Sequence, residues 1–303
     1  MRASKTEEPL RAPSLYRGII DVVPAMRPDN RIIAHQNELA VLKYLGLFAH
    51  LRYIEVGRAV WPHSTWKVAQ QMAERTVARL IKEKALFQTR NKLGSYSILL
   101  TKSGVDRCRH LDMKAAHNTP DLFGVHGTQF AHRSYESRYL VERTAQGHHA
   151  FGSHAIAKSW APINRQQSID QHQKIPDGLV LVPGIERGYT SNEIQIADWI
   201  EVENSRKPYT ELWSILDIAW KIGKFLDKAE TVLLDRVVFV YDGAEPHRKR
   251  ILNAVERYMR SHPTNNPALL SSIILCECRV SLPFIWHGHE EIPCSALIEA
   301  PLH

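Results

Sequence analysis

The interval at which apolar residues recur changes along this chain, and that change limits its fold more than any other feature. Leu39, Leu42, Leu45 and Phe48 fall three apart, one stripe of a helix. A short second pattern runs from Tyr53 to Trp61 and stops at Pro62. Ser64 or Thr65 caps a third predicted helix that runs to about Lys84, with Ala69, Ala73, Val77, Leu80 and Ile81 on its apolar face. The interval then falls to two. Leu86-Phe87-Gln88-Thr89-Arg90 and Ser95-Tyr96-Ser97-Ile98-Leu99 flank Asn91-Lys92-Leu93-Gly94, the pattern of a β-hairpin with glycine in its turn. Residues 1–30 hold four prolines and little periodicity, so a loose arm is expected there.

Further along, helix and strand patterns alternate. Ser134 to Gln146 is a predicted helix carrying Tyr135, Tyr139, Leu140 and Arg143, and a His-, Gln- and Ser-rich stretch without clear pattern follows to Lys174. Extended segments are expected at Gly178–Val182, Ile194–Val202 and Val237–Tyr241. A long helix, about Pro208 to Lys228, should join the last two. A helix from Pro246 to Arg260 and a strand from Ser271 to Val280 complete the series. This order predicts an α/β (α+β) chain with a mixed sheet. The expected organisation is the arm, a first domain over 31–118 and a second over 119–303.

Charge separates the same two regions. Residues 1–120 hold 20 Lys and Arg against 10 Asp and Glu, whereas residues 121–303 hold 19 against 22. The excess of +7 therefore belongs to the N-terminal part, which points to a polyanionic partner. No apolar run approaches the ~18 residues of a membrane span. No apolar core of a secretory signal follows the first charges, and four cysteines are too few for a disulfide framework at this length. A soluble, cytoplasmic protein is the expectation.

Three helices followed by a hairpin resemble a winged helix-turn-helix, which implies that the third helix enters the DNA major groove and the hairpin meets the backbone. Gln71, Arg75, Arg79 and Lys82 lie opposite the apolar face of that helix, and Arg90 and Lys92 flank the turn. Gln and Arg suit adenine and guanine edges, and Lys and Arg suit phosphates. The alternative is a solvated basic helix face in a protein-interaction module.

The carboxylates carry the sharpest chemistry. Asp177 follows Pro176 and opens one expected strand; Glu201-Val202-Glu203 closes another ahead of a helix. Residues two apart on a strand share a face. If the strands pair, Asp177, Glu201 and Glu203 converge, and a hard cation such as Mg²⁺ or Mn²⁺ would offset their repulsion. The alternatives are an Asp-Gly turn at Asp177 and a solvent-facing row at Glu201 and Glu203, with Ile200 and Val202 turned to the core.

Asp177 after proline, then Glu201-x-Glu203 before a long helix, resembles the PD-(D/E)XK nuclease superfamily. The winged helix, His132 ahead of the next helix, Pro176-Asp177-Gly178 and Trp199-Ile200-Glu201-Val202-Glu203-Asn204 together resemble the replication-relaxation proteins and the MOB-C class of conjugative relaxases. The resemblance covers roughly residues 32–260. It implies that Asp177 and Glu201 bind the metal with the Val202 carbonyl, and that Glu203 stands where the family has lysine, as an extra metal ligand or as a base for the attacking water. Lys207 would then supply the missing positive charge, Glu136 a further carboxylate, and His132 a contact to the scissile phosphate or a helix cap. The implied function is metal-dependent nicking of double-stranded DNA at the origin of a mobile element, as in plasmid mobilisation and conjugation, alongside other relaxosome or replication proteins. The alternative is a non-catalytic replication or mobilisation accessory protein, or a transcriptional regulator, of the same fold. Zinc chemistry at His148, His149, His154, His287, His289 and Cys294 lacks paired spacing, and Cys276-x-Cys278 reads as buried core.

Overall fold

Asp29 opens helix α1 (Asn30–Phe48) by accepting a hydrogen bond from the Arg31 N–H at 2.9 Å. The structure is a computed structural model that describes residues 29–91, 94–116, 125, 129–188, 194–205, 207–262, 268–281 and 285–298. The expected arm, apart from its last two residues, lies outside them, as does Lys92. A short strand β1 (His50–Arg52), helix α2 (Tyr53–Val60) and helix α3 (Trp66–Lys82) follow. Thr65 occupies the N-cap of α3, but its hydroxyl makes no capping bond. Gly57 lets α2 and α3 touch: a Cβ there would lie 2.8 Å from the Ala69 carbonyl carbon. The hairpin forms as β2 (Leu86–Arg90) and β3 (Tyr96–Leu100), with Arg90 opposite Tyr96. Its turn needs Gly94, whose φ is +80°. β1 adds to the other side of β3 to give an antiparallel sheet in the order β1-β3-β2. Helix α4 (Lys102–His110) begins at Thr101, whose hydroxyl accepts from the Gly104 N–H.

The remainder builds on helix α5 (Phe130–Ala145) and a six-stranded sheet. Its strands are β4 (His149–Gly152), β5 (Gly178–Pro183), β6 (Gln195–Glu203), β7 (Val232–Tyr241), β8 (Ile273–Ser281) and β9 (Ile285–Pro293), neighbours in that order. β4, β5 and β6 run antiparallel, β6, β7 and β8 parallel, and β9 antiparallel again. The expected mixed-sheet α/β architecture is thus present. Helices α6 (Ser153–Ala157) and α7 (Arg165–His172) fill the stretch that had no clear pattern. Helix α8 (Tyr209–Ala219) crosses from β6 to the parallel β7, and α9 (Glu245–Ser261) and α10 (Ala268–Ser272) link β7 to β8. α8 ends well short of Lys228, a correction to the expected long helix. Gly223 takes φ +81°, and the Leu226 N–H donates to Val232 O, so the chain turns back into β7 while Leu226 stays buried.

Both faces of this sheet are covered. Val180, Val182, Ile200 and Val202 pack against Tyr139 and Leu140 of α5. Leu179, Leu181, Trp199 and Phe239 join Leu212, Ile215, Ile251 and Val255 on the other side. The core on the α5 side does not stop at the sheet. It continues through Val41, Leu45, Leu51, Val56 and Leu80 of the N-terminal helices. Arg58 of α2 pairs with Glu142 of α5 across the junction at 2.8 Å.

Candidate active site

Asp177 immediately precedes β5, and its backbone N–H donates to Ile200 O at 3.0 Å, which sets it beside Glu201 at the end of β6. The Asp177 carboxylate accepts the Val202 N–H at 2.8 Å on Oδ2 and pairs through Oδ1 with His132 Nε2 at 3.0 Å. A bare Asp-Gly turn does not describe this residue, because both of its oxygens are engaged by other elements. His132 sits in the first turn of α5 and caps nothing; its ring reaches Asp177. Burial works against charge on Asp177, but the His132 hydrogen bond and charge, the Lys207 charge and the Val202 N–H outweigh it and hold the carboxyl below its ordinary range. Burial also works against the imidazolium, yet Asp177 and Glu136 raise the His132 pKa.

The structure overturns the alternative in which Glu201 and Glu203 form a solvent-facing row. Their exposures are 1% and 0%. β6 is a central strand covered on both faces, so both the odd and the even positions of the alternation are inside. Glu201 Oε1 accepts the Trp199 indole N–H at 2.8 Å, and Oε2 lies 3.5 Å from Lys174 Nζ. Burial, with Asp177 next, pushes the Glu201 carboxyl up to about 7 against the pull of Lys174 and Lys207. Burial likewise raises Glu203, opposed by Lys207, Arg250 and His247. Lys207 Nζ lies 3.6 Å from Glu203 Oε2 and donates to Val202 O at 3.0 Å. The carboxylates around it raise its pKa although burial opposes this, so it stays an ammonium.

Asp177, His132, Lys174 and Lys207 open on a cleft of about 570 Å³, lined also by Glu136 and Ser153, whereas Glu201 and Glu203 are buried and are not among its described lining residues. Glu136 is buried and accepts from both the N–H and the hydroxyl of Ser153 at 2.9 Å. Lys174, Arg133 and Ser153 of this cleft were not picked out by the sequence. Lys174 lies three residues ahead of Asp177 in a polar loop, and no local spacing marks it.

The donor set suits a divalent cation in chemistry. The oxygens are hard, and Glu201 Oε2 and both Glu203 oxygens are buried without a hydrogen-bond partner. Asp177 and Glu201 are the pair that would hold it. Among the described residues, however, no three His, Cys, Asp or Glu side chains form a ready metal-holding group. Glu203 is turned towards Lys207, and Lys207 occupies the Val202 carbonyl.

The proposed DNA contacts lie elsewhere. Gln71, Arg75, Arg79 and Lys82 are all exposed on α3, but Arg79 is tied to Glu38 of α1 at 3.0 Å. Arg90 is exposed on the hairpin, its guanidinium 5.8 Å from the Tyr96 ring centre. Of the histidines, His148 pairs with Glu186 at 3.0 Å and His154 is buried beside Trp160. Cys276, Cys278 and Cys294 are free and buried, as the core reading of Cys276-x-Cys278 requires. No described helix is long and apolar enough to cross a membrane. No family model matches the chain, and no curated protein or solved structure matches it.

Proposed function

We propose that the chain is a DNA-binding, divalent-metal-dependent nicking endonuclease. Residues 31–118 are read as a winged helix that binds double-stranded DNA through Gln71, Arg75, Lys82 and Arg90. Residues 119–303 are read as a PD-(D/E)XK-like domain that hydrolyses a phosphodiester. The observation that carries this is the meeting of Asp177 and the buried Glu201 with Lys174 and Lys207 at the end of β6, beside a cleft that Asp177, Lys174 and Lys207 line. The order of elements supports it too: a helix, three antiparallel strands, a crossover helix and a parallel strand, with Asp177 ahead of the second strand and Glu201 at the end of the third.

Mg²⁺ or Mn²⁺ held by Asp177 and Glu201 would polarise the phosphate and lower the pKa of the attacking water. The chain's own groups do the rest. His132 keeps Asp177 ionised. Lys174 and Lys207 offset negative charge at the cleft, and Glu203 holds Lys207 there in place of the family's lysine. The narrower assignment, nicking at the origin of a mobile element, rests on the resemblance to replication-relaxation proteins and MOB-C relaxases.

A second reading, a non-catalytic accessory protein or regulator, is favoured by one observation: Lys207 already satisfies the Val202 carbonyl and lies 3.6 Å from Glu203, so a lysine engages two of the groups that a cation would take. Supercoiled plasmid carrying the DNA that flanks the gene separates the two. With Mg²⁺ or Mn²⁺ it is expected to become open circles, and Asp177→Asn or Glu201→Gln is expected to slow this by about a hundredfold or more. Binding without nicking in any metal overturns the nuclease reading and leaves the accessory one.

A further inference from the structure

A second cavity, of about 510 Å³, lies where the N-terminal helices meet the edge of the large sheet. Its walls include Tyr44 of α1, Phe151 of β4 and Trp160, and its basic lining includes Lys43, Lys114 and His149. The aromatic walls are held in place. Tyr44 stacks on Phe48 at 6.4 Å between ring centres, and Trp160 packs edge-on against His154 at 5.4 Å. Burial pushes His154 down to about 4, so the ring behind Trp160 is neutral at physiological pH. Lys114 Nζ reaches Trp160 O at 3.4 Å, which keeps an ammonium at the aromatic wall. Among the described residues, Asp112 is the one acidic residue that lines the cavity.

We infer that this cavity receives one nucleotide of single-stranded DNA, the base against Tyr44 and Trp160 and the adjoining phosphates on Lys43 and Lys114. Aromatic faces with lysines around them are the chemistry that binds unpaired bases regardless of sequence. Its position links it to the cleft. His149 to Phe151 line the cavity, and Ser153, the residue that follows the same strand and opens α6, lines the cleft and donates its N–H to Asp177 O at 2.9 Å. Three residues of strand span about 10 Å, close to three base steps of ~3.4 Å. A strand opened at the cleft would thus find a holding point beside it. The inference rests on the DNA-processing reading for the nature of the strand, and not on cleavage.

Binding of a fluorescein-labelled deoxythymidine 20-mer, followed by anisotropy over a range of salt, tests it without metal. Wild type is expected to bind. Lys43→Glu with Lys114→Glu should weaken binding at least tenfold and lower the salt slope by about 1.4, the effect of losing two single-strand phosphate contacts. Tyr44→Leu, which keeps apolar volume, should weaken binding while leaving the slope unchanged. Dialysis against thymidine monophosphate forms the other arm. Tight binding of the free nucleotide with no binding of the 20-mer overturns the strand assignment, and unchanged 20-mer binding in all these variants overturns the site. Asp177→Asn should abolish nicking and keep 20-mer binding, so failure of the nuclease reading is seen separately.

Discussion

Replacing Glu201 with glutamine should make the protein more stable at neutral pH. The carboxyl has an ordinary value near 4.5 and is pushed up to about 7 by burial and by Asp177. Below 4.5 it is protonated in the folded and unfolded chains alike, and nothing is gained or lost. Between 4.5 and 7 the unfolded chain releases this proton while the folded chain keeps it, so stability falls as pH rises. Above 7 both are ionised and the penalty is complete. At 1.36 kcal/mol per pH unit it comes to about 3 kcal/mol. The attraction of Lys174 is already inside that figure, because it helps set the folded value. Glutamine keeps an oxygen for the Trp199 N–H and carries no charge. Glu201→Gln should therefore match wild type at pH 4 and exceed it by about 3 kcal/mol at pH 8, read from urea denaturation at four pH values. Asp198, also pushed up to about 7 by burial, loses stability in the same window in both proteins. The difference between the two curves isolates Glu201. Mg²⁺ at a hundred times its dissociation constant should stabilise wild type by about 2.7 kcal/mol and the variant much less. Parallel pH profiles for the two proteins would refute the assignment of a buried, charge-strained carboxylate.

Three further outcomes follow from named contacts. His132 should titrate above 6.5 by NMR in wild type and lower in Asp177→Asn, where burial and Lys207 work against the imidazolium and only the Glu136 charge still favours it. Its pairing with Asp177 then stabilises the fold below pH 6.5 and fades as pH rises through the raised value. Arg75→Ala with Lys82→Ala should weaken duplex binding and lower the salt slope by about 1.8; an unchanged slope removes α3 from the DNA interface. Gly178→Ala should cost about 1–3 kcal/mol in urea denaturation, since its new Cβ would lie 3.0 Å from Leu140 Cδ2 with little room to move.

Much of the fold was legible where one periodicity acts alone. The spacing of Ala69, Ala73, Val77 and Leu80 marked α3, and alternation around Asn91 and Gly94 marked the hairpin. Legibility failed where two structures bury the same residues. Ile222 and Leu226 continue the spacing of α8, yet they reach the core from a turn, because Gly223 reverses the chain. β4 escaped notice because it is four residues long, and β9 because an edge strand carries polar side chains, as in His287-Gly288-His289-Glu290-Glu291. At the site, Asp177 and Glu201 were marked by sequence, and so was Lys207. Their burial was not, because it depends on helices that cover both faces of β6 from distant parts of the chain. Lys174 became visible only once its loop was placed against Glu201.

The core that runs from Val41 and Leu80 into Tyr139 and Val202 has a mechanical consequence. A chain cut near residue 118 would expose two complementary apolar faces, so neither half should unfold independently of the other. The basic helix and the cleft at Asp177 are then joined like the jaws of a caliper set at one opening. On the proposed function, the distance along DNA from the bound sequence to the broken bond would be a dimension of the protein, and spacer insertions of half a helical turn should silence it.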